Sequence, residues 1–287
     1  MPSLRDIKKR IKSVKNTQQI TKAMKMVSAA KLRRAEESIR QARPYARKMM
    51  GVLSSLALRA EPSAHPLLAR RDVKRVEILI ITSDRGLCGA FNSNIIKKAD
   101  SFIRHNRMNY ESIRLTVVGR KAADYCRRGG LDIRGEHINV LSGFGYPTAA
   151  RIAHDIIDAY TNEEVDEVYI LYNEYRSALS QQAIMERLLP ITPLEGETEM
   201  SAVDYIYEPG REQILDEILP KHVEVQVYRT LLESIAGEHG ARMTAMDSAT
   251  RNAKEMIGRL TLFYNRARQA AITKELVEIV SGAEALK

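Results

Sequence analysis

The two ends of the chain constrain its fold most. Between Ser3 and Arg43 there is neither Gly nor Pro, and between Lys221 and Lys287 there is no Pro. Both stretches therefore read as long helices, with the remainder of the chain folded between them in sequence. At ~1.5 Å rise per residue the C-terminal helix reaches about 100 Å. A compact chain of 287 residues has a radius of gyration of only ~19 Å. Such a helix cannot be buried in its own domain. It must protrude, and something must receive it.

The pattern within each end supports this. Leu4, Ile7, Ile11 and Val14 are spaced three, four and three apart. The polar stretch KNTQQ interrupts, and Ile20, Met24 and Val27 resume the spacing. That is one narrow apolar seam of coiled-coil width. Pro44 predicts a break or kink, with a second helical stretch from Tyr45 to about Arg59. At the other end, Met243, Met246, Thr250, Ala253, Ile257, Leu260, Tyr264, Ala267 and Ala271 alternate steps of three and four. This 3.5-residue period predicts a left-handed supercoil. Its small members allow a partner helix to come close, and after Ala271 the pattern passes to a rotated face at Leu276, Ile279 and Ala283. Gly237, Gly240 and Gly258 each cost roughly 1 kcal/mol relative to Ala, which leaves a continuous helix possible. The two ends are expected to pack antiparallel. An N-terminal helix of about 60 Å leaves roughly 40 Å of its longer partner uncovered.

The middle alternates strand and helix. RVEILIITSD (75–84) reads as a strand buried on both faces. GLCGAFNSNIIKKADSFIRHN is a turn and then a helix. SIRLTVVG (112–119) is a second strand, RKAADYCRRGG a short helix closed by Gly129, and TAARIAHDIIDAYTNEEV (148–165) an amphipathic helix. DEVYILYNEY (166–175) is a third strand, and QAIMERLLP (182–190) is expected at a sheet edge. The fold class is therefore α/β: a Rossmann-like domain with a mostly parallel sheet at 60–210, flanked by coiled-coil helices at 1–59 and 211–287.

Charge is unevenly placed. Residues 1–50 hold 15 Lys and Arg against Asp6, Glu36 and Glu37, an excess of +12. The other 237 residues hold 30 basic and 33 acidic side chains. The first helix thus calls for an acidic receiver: nucleic acid, anionic lipid or an acidic protein surface. No run of about 18 apolar residues predicts a membrane span. The basic N-terminus has no apolar core of a secretory signal, and its helical pattern from Leu4 onward reads as mature structure, not a transit peptide. Two cysteines, Cys88 and Cys126, make no disulfide framework and fit a reducing compartment.

Chemistry-bearing motifs are scarce. SDRGLCGAFNSN (83–94) sits between a strand and a helix, where α/β folds bind ligands. Its Gly86 and Gly89 do not make GxGxxG, and no GK[ST] follows, so a tight structural turn is the stronger reading. Cys88 beside Arg85 reads as a small buried residue before it reads as a reactive thiol. His65, His105, His137, His154, His222 and His239 are scattered, without metal-ligand spacing. No nucleophile motif occurs. We expect no catalytic residue, no metal and no cofactor. VDYIYEPG (203–210) is read either as an edge loop or as a contact surface, because Tyr is favoured at interfaces.

Three long segments, in order, carry a resemblance: IKSVKNTQQITKAMKMVSAAKLRRA (11–35), SDRGLCGAFN (83–92) and ARMTAMDSATRNAKEMIGRLTLFYNRARQAAITKELVEIVSGAEAL (241–286). With them the whole chain resembles the gamma subunit of the rotary ATP synthase in its bacterial form. The resemblance implies a central stalk. In that family the terminal helices form an antiparallel coiled coil inside a hexamer of alpha and beta subunits. The α/β domain lies against the epsilon subunit and the c-ring. Proton flow turns the ring, the ring turns the stalk, and the asymmetric shaft contacts each beta subunit differently, which is what coupling requires. The resemblance places Lys22, Met24 and Lys25 toward acidic lever loops of beta. It places Arg242, Arg268, Gln269 and Thr273 as further contacts to the head, and Tyr205, Tyr207 and Glu208 against the c-ring and epsilon. It implies a peripheral subunit on the cytoplasmic face of the bacterial inner membrane, with no catalytic site of its own. The cysteine pair inserted in the chloroplast form is absent, so thiol regulation of that kind is not expected.

Two other function classes fit parts of the chain. A nucleic-acid-binding coiled coil could use the basic helix, but that helix has no aromatic before Tyr45 on which bases could stack. A nucleotide enzyme could use the Rossmann-like middle, but the glycine fingerprint is missing.

Overall fold

The computed structural model describes residues 3–57, 65–141, 143–192 and 210–284. The elements run α1 (Leu4–Ala57), β1 (Arg75–Ile81), α2 (Phe91–Asn106), β2 (Ser112–Val118), α3 (Arg120–Arg128), β3 (Ile133–His137), α4 (Tyr146–Thr161), β4 (Glu167–Ser177), β5 (Ser180–Leu189) and α5 (Arg211–Glu284). They fall into two compact units. Unit 1 is Met1–Ser28 with Met243–Lys287, and unit 2 is Ala29–Arg242.

Unit 2 is a five-stranded sheet in the order β3-β2-β1-β4-β5. The first four strands are parallel, and β5 returns antiparallel beside β4 through a two-residue turn. The apolar run of β1 serves both faces. Val76, Ile78 and Ile80 join a core with Ile95 and Ala99 of α2 and Ala122, Ala123 and Cys126 of α3. Leu79 and Ile81 join the opposite core with Ile152 and Ile156 of α4 and Leu215, Leu219, Val223 and Val227 of α5. The period of two sends alternate side chains to opposite faces, so a strand covered by helices on both sides is apolar throughout. Gly119 links β2 to α3 at φ 92°, and a Cβ there would lie 2.2 Å from the Thr82 carbonyl oxygen, so only glycine fits.

The edge strand β3 has no apolar alternation and was not expected from the sequence. It is held by a buried ion pair. Glu77, fully buried in β1, accepts from Arg134 of β3 at 2.7 and 3.0 Å and from the Thr116 hydroxyl of β2 at 2.5 Å. One carboxylate thus ties three strands together. Charge, not periodicity, defines this edge.

Unit 1 is an antiparallel pair. The Thr21 and Thr250 hydroxyls are 2.8 Å apart, and the Lys25 ammonium donates to Asp247 at 2.5 Å. On α5 the expected seam is the observed one: Met246 and Ala253 are buried, and Thr250, Ile257, Leu260, Tyr264, Ala267 and Ala271 are half-buried between exposed neighbours. On α1 the outcome differs. Ile20 is 59% and Val27 56% exposed, and the inward positions after Val14 are Gln18, Thr21, Met24 with Lys25, and Ser28. Geometry decides this, because steps of three and four from Val14 land on those polar residues and put Ile20 on another face.

The helix α1 also continues through Pro44, which lies exposed, where the carbonyl freed by the missing N–H can meet water. Beyond Ala271 the side chains of 272–283 are all exposed. The uncovered end is thus about 20 Å long, half the length expected, because the first part of α5, from Leu215 to Leu231, is buried in the sheet core instead of being left over.

Two stability measurements check this description. Arg134→Met should leave Glu77 buried and unpaired and lower the urea-unfolding free energy by about 3 kcal/mol, while Glu77→Gln/Arg134→Met should recover most of it. His222 is buried on α5, its Nδ1 has no hydrogen-bond partner among the described residues, and burial with the nearby Arg229 charge lowers its pKa to about 4. An unfolded imidazole titrates near 6.5. Its contribution is therefore intact above that pH and is lost as pH falls toward 4, by up to about 3 kcal/mol. Urea titrations at pH 7 and 5 should show the loss, and His222→Leu should reduce it. His239, also lowered to about 4 by burial, keeps the remainder of the slope.

Candidate functional site

Two places could carry function: the carboxyl edge of the sheet in unit 2 and the outer surface of the coil in unit 1. The first is where open α/β sheets bind nucleotides, beside β1 and β4 at the point where strand order reverses. Here SDRGLCGAFN (83–92) leaves β1. The Ser83 N–H donates to Asn92 Oδ1 at 2.9 Å, the Ser83 hydroxyl to the Arg85 carbonyl at 2.7 Å, and Asn92 Nδ2 to Ser83 Oγ at 2.8 Å. Asp84 Oδ1 accepts from the backbone N–H groups of Arg120 and Asn139, both at 3.0 Å, and so joins the exits of β1, β2 and β3. Leu87 and Gly89 take φ of 64° and 58°, turning the chain so that Cys88 goes inward, 2% exposed, while Leu87 stays 65% exposed.

The crevice itself is filled by α5. Asn173 of β4 donates to the Phe91 carbonyl, and Gly237 lies against the Phe91 ring. Arg242 Nη2 donates to the carbonyls of Arg85 and Gly86, each at 3.2 Å, and its Nη1 to Glu238 at 2.6 Å. Burial pushes Glu238 up, with the Arg242 charge opposing it, and burial likewise pushes the Cys88 thiol up. A phosphate needs free backbone N–H groups. At this edge the N–H groups of Ser83, Arg120 and Asn139 are held by side chains of the chain itself. Among the described residues no group of three or more His, Cys, Asp or Glu could hold a metal ion, and no helix is long and apolar enough to cross a membrane.

The coil is the opposite case. Its seam is closed internally, and many side chains on its outer surface are exposed. Carried along at one residue for one residue, the Thr21–Thr250 and Lys25–Asp247 contacts bring Lys8, Lys12 and Lys15 of α1, all exposed, level with the stretch of α5 that carries Met256 and Phe263. Met256 and Phe263 are 50% and 47% exposed and lie one residue before seam positions, as do Ile20 and Val27 on α1. The coil therefore shows apolar stripes on different helices at different heights, with cations between them. Its surface is unlike on its different sides.

The residues singled out from the sequence divide between these places. Lys22 is exposed, and Met24 and Lys25 are partly buried at the seam, with Lys25 tied to Asp247. Arg268, Gln269 and Thr273 are exposed near the end of the seam. Arg242 is 8% exposed, and its guanidinium is turned onto Glu238 and two loop carbonyls inside unit 2, where it acts as an internal bracket. Tyr205, Tyr207 and Glu208 lie outside the described residues. The sequence reading missed Glu238, whose i, i+4 spacing from Arg242 was a usable signal, and Asp247, which no spacing within one helix could connect to Lys25.

The family model for ATP synthase matches residues 3–286. The ATP synthase gamma chain of Geobacter metallireducens is 56% identical over 287 residues, covering all of both chains. That of an Anaeromyxobacter species is 53% identical over 290 residues, again over all of both. Among solved structures, a chain from the central stalk and c-ring of the Tetrahymena thermophila mitochondrial ATP synthase matches with TM-score 0.62 and 28% identity, covering 80% of this chain and 99% of that one. A chain of the Euglena gracilis mitochondrial ATP synthase rotor has the same fold, with TM-score 0.68, 21% identity and coverage of 94% and 98%. With the family model over nearly the whole chain and full-length relatives at more than half identity, the chain belongs to the ATP synthase gamma-chain family.

Proposed function

We propose that this chain is the rotor shaft of a proton-driven F-type ATP synthase, coupling rotation of a membrane c-ring to conformational change in the catalytic beta subunits, with no catalytic site of its own. The observation that carries this reading is the outer surface of the coil. It is cationic and apolar in separate stripes, with Ile20, Val27, Met256 and Phe263 all exposed. A shaft that is different on each side gives three surrounding subunits three different contacts, and a ligand or partner shifts a conformational equilibrium only by such differential contact. The filled crevice supports the absence of catalysis, because the place where this fold binds nucleotides is occupied by α5.

On this reading Lys22 and Met24, with the exposed Ile20 and Val27 beside them, face the acidic lever loops of the head. Arg268, Gln269 and Thr273 meet the head nearer its bearing. The segment with Tyr205, Tyr207 and Glu208 is assigned to the c-ring and the epsilon subunit. The partners are alpha, beta and epsilon subunits and the ring, and the chain is peripheral at the cytoplasmic face of the bacterial inner membrane. In functional terms 1–59 and 211–287 are the shaft helices and 60–210 the domain that takes up rotation.

The test is reconstitution. Added to the remaining subunits in membrane vesicles, the chain should restore ATP-driven proton pumping, and alone it should not hydrolyse ATP. Robust turnover by the purified chain would contradict the proposal. Charge reversal separates surface from seam. Lys22→Glu should lower protons pumped per ATP with the melting temperature unchanged. Lys25→Glu sets a carboxylate against Asp247, whose pKa is held down by the Lys25 hydrogen bond, and should also lower the melting temperature of the chain. Equal melting temperatures for the two variants would refute the assignment of Lys25 to the seam.

A further inference from the structure

Where α5 leaves unit 2 it is held on two sides. On one side it carries two glycines. A Cβ on Gly237 would lie 3.2 Å from the Phe91 ring and 3.4 Å from Gln181. A Cβ on Gly240 would lie 3.2 Å from both the Cα and the carbonyl oxygen of Ala178, at the turn between β4 and β5. These glycines lower helix propensity, so their presence mid-helix needs another reason. The reason is contact: the hairpin and Phe91 sit directly on the helix backbone. On the other side, roughly 150° around the axis at 3.6 residues per turn, Arg242 reaches the carbonyls of Arg85 and Gly86 and is braced by Glu238. The loop it holds is itself fixed by Ser83, Asn92 and Asp84.

A smooth helix in an apolar groove can turn about its own axis at small cost, because dispersion contacts are individually weak. This helix cannot. Turning it by one residue, 100°, would carry a side chain into the place of Gly237 or Gly240 and pull Arg242 off its carbonyls. We propose that Gly237, Gly240 and the Arg242–Glu238 pair form a rotational lock that fixes the azimuth of α5 in the α/β unit, so that torque applied to that unit reaches the coil without the helix turning in its seat. The lock rests on the rotor reading, and its residues are positioning residues that act through the orientation of α5.

The test uses the assembled complex in vesicles. Gly237→Ala/Gly240→Ala pushes the hairpin and Phe91 back from the helix by a few tenths of an ångström and so shifts its seat, while raising helix propensity. Glu238→Gln/Arg242→Met removes the latch without leaving a buried charge alone. Complexes that assemble with either variant should still hydrolyse ATP but lose most proton pumping per ATP. A wild-type pumping ratio with both variants would overturn the lock. So would proportional loss of hydrolysis and pumping, since the contacts would then serve folding only. Should the glycine variant fail to fold, as judged by melting of the full chain, the latch variant decides alone. If wild-type chain itself does not restore pumping, the rotor reading fails and the lock with it.

Discussion

Everything in this molecule depends on one helix having two kinds of surroundings. Over its first part α5 is a wall of the α/β core, with Leu215, Leu219, Val223, Val227 and Leu231 all buried. From Met246 to Ala271 it buries only one seam, and from 272 to 283 it buries nothing. The same 74-residue element thus passes from globular core to coiled coil to bare helix as its neighbours fall away. Its packing determines what it can grip and what it must leave exposed.

The α/β unit illustrates how a fold is separated from the function its relatives suggest. Its strand order and its helices on both faces are those of a nucleotide-binding sheet. Yet the crevice at the carboxyl edge is closed by Gly237, Phe91 and Arg242. Polar groups that could cradle a phosphate are instead paired with Asp84, Asn92 and Thr82, whose hydroxyl accepts the Ala122 N–H at 2.9 Å. The chain's own side chains thus occupy the place where such sheets bind ligands.

Much of this was legible in the sequence because it rests on local patterns. The alternation of three and four on α5, the two-faced apolar run of β1, and Gly129 closing α3 all report contacts through spacing alone. What was not legible depends on partners distant in sequence. β3 is defined by Arg134 reaching Glu77, which no periodicity announces. The seam of α1 runs through Gln18, Thr21 and Ser28 because helix geometry outranks hydrophobicity once a partner has set the phase, and Ile20 and Val27 are left outside for the same reason. Arg242 is singled out by resemblance, and only its three-dimensional neighbours show its guanidinium turned onto Glu238 and two loop carbonyls. Lys25 likewise divides between the seam and the surface once Asp247 is seen beside it.

The central claim is that the chain turns as a whole while the catalytic subunits stay still. Met108 is 94% exposed between α2 and β2, while Cys88 and Cys126 are buried, so Met108→Cys offers a selective attachment point on the α/β unit. A bead fixed there, with the reconstituted head anchored to a surface, reports the motion directly during ATP hydrolysis. The account predicts sustained rotation in one direction that stops when ATP is exhausted. Hydrolysis with a bead that only fluctuates about a fixed angle would contradict it.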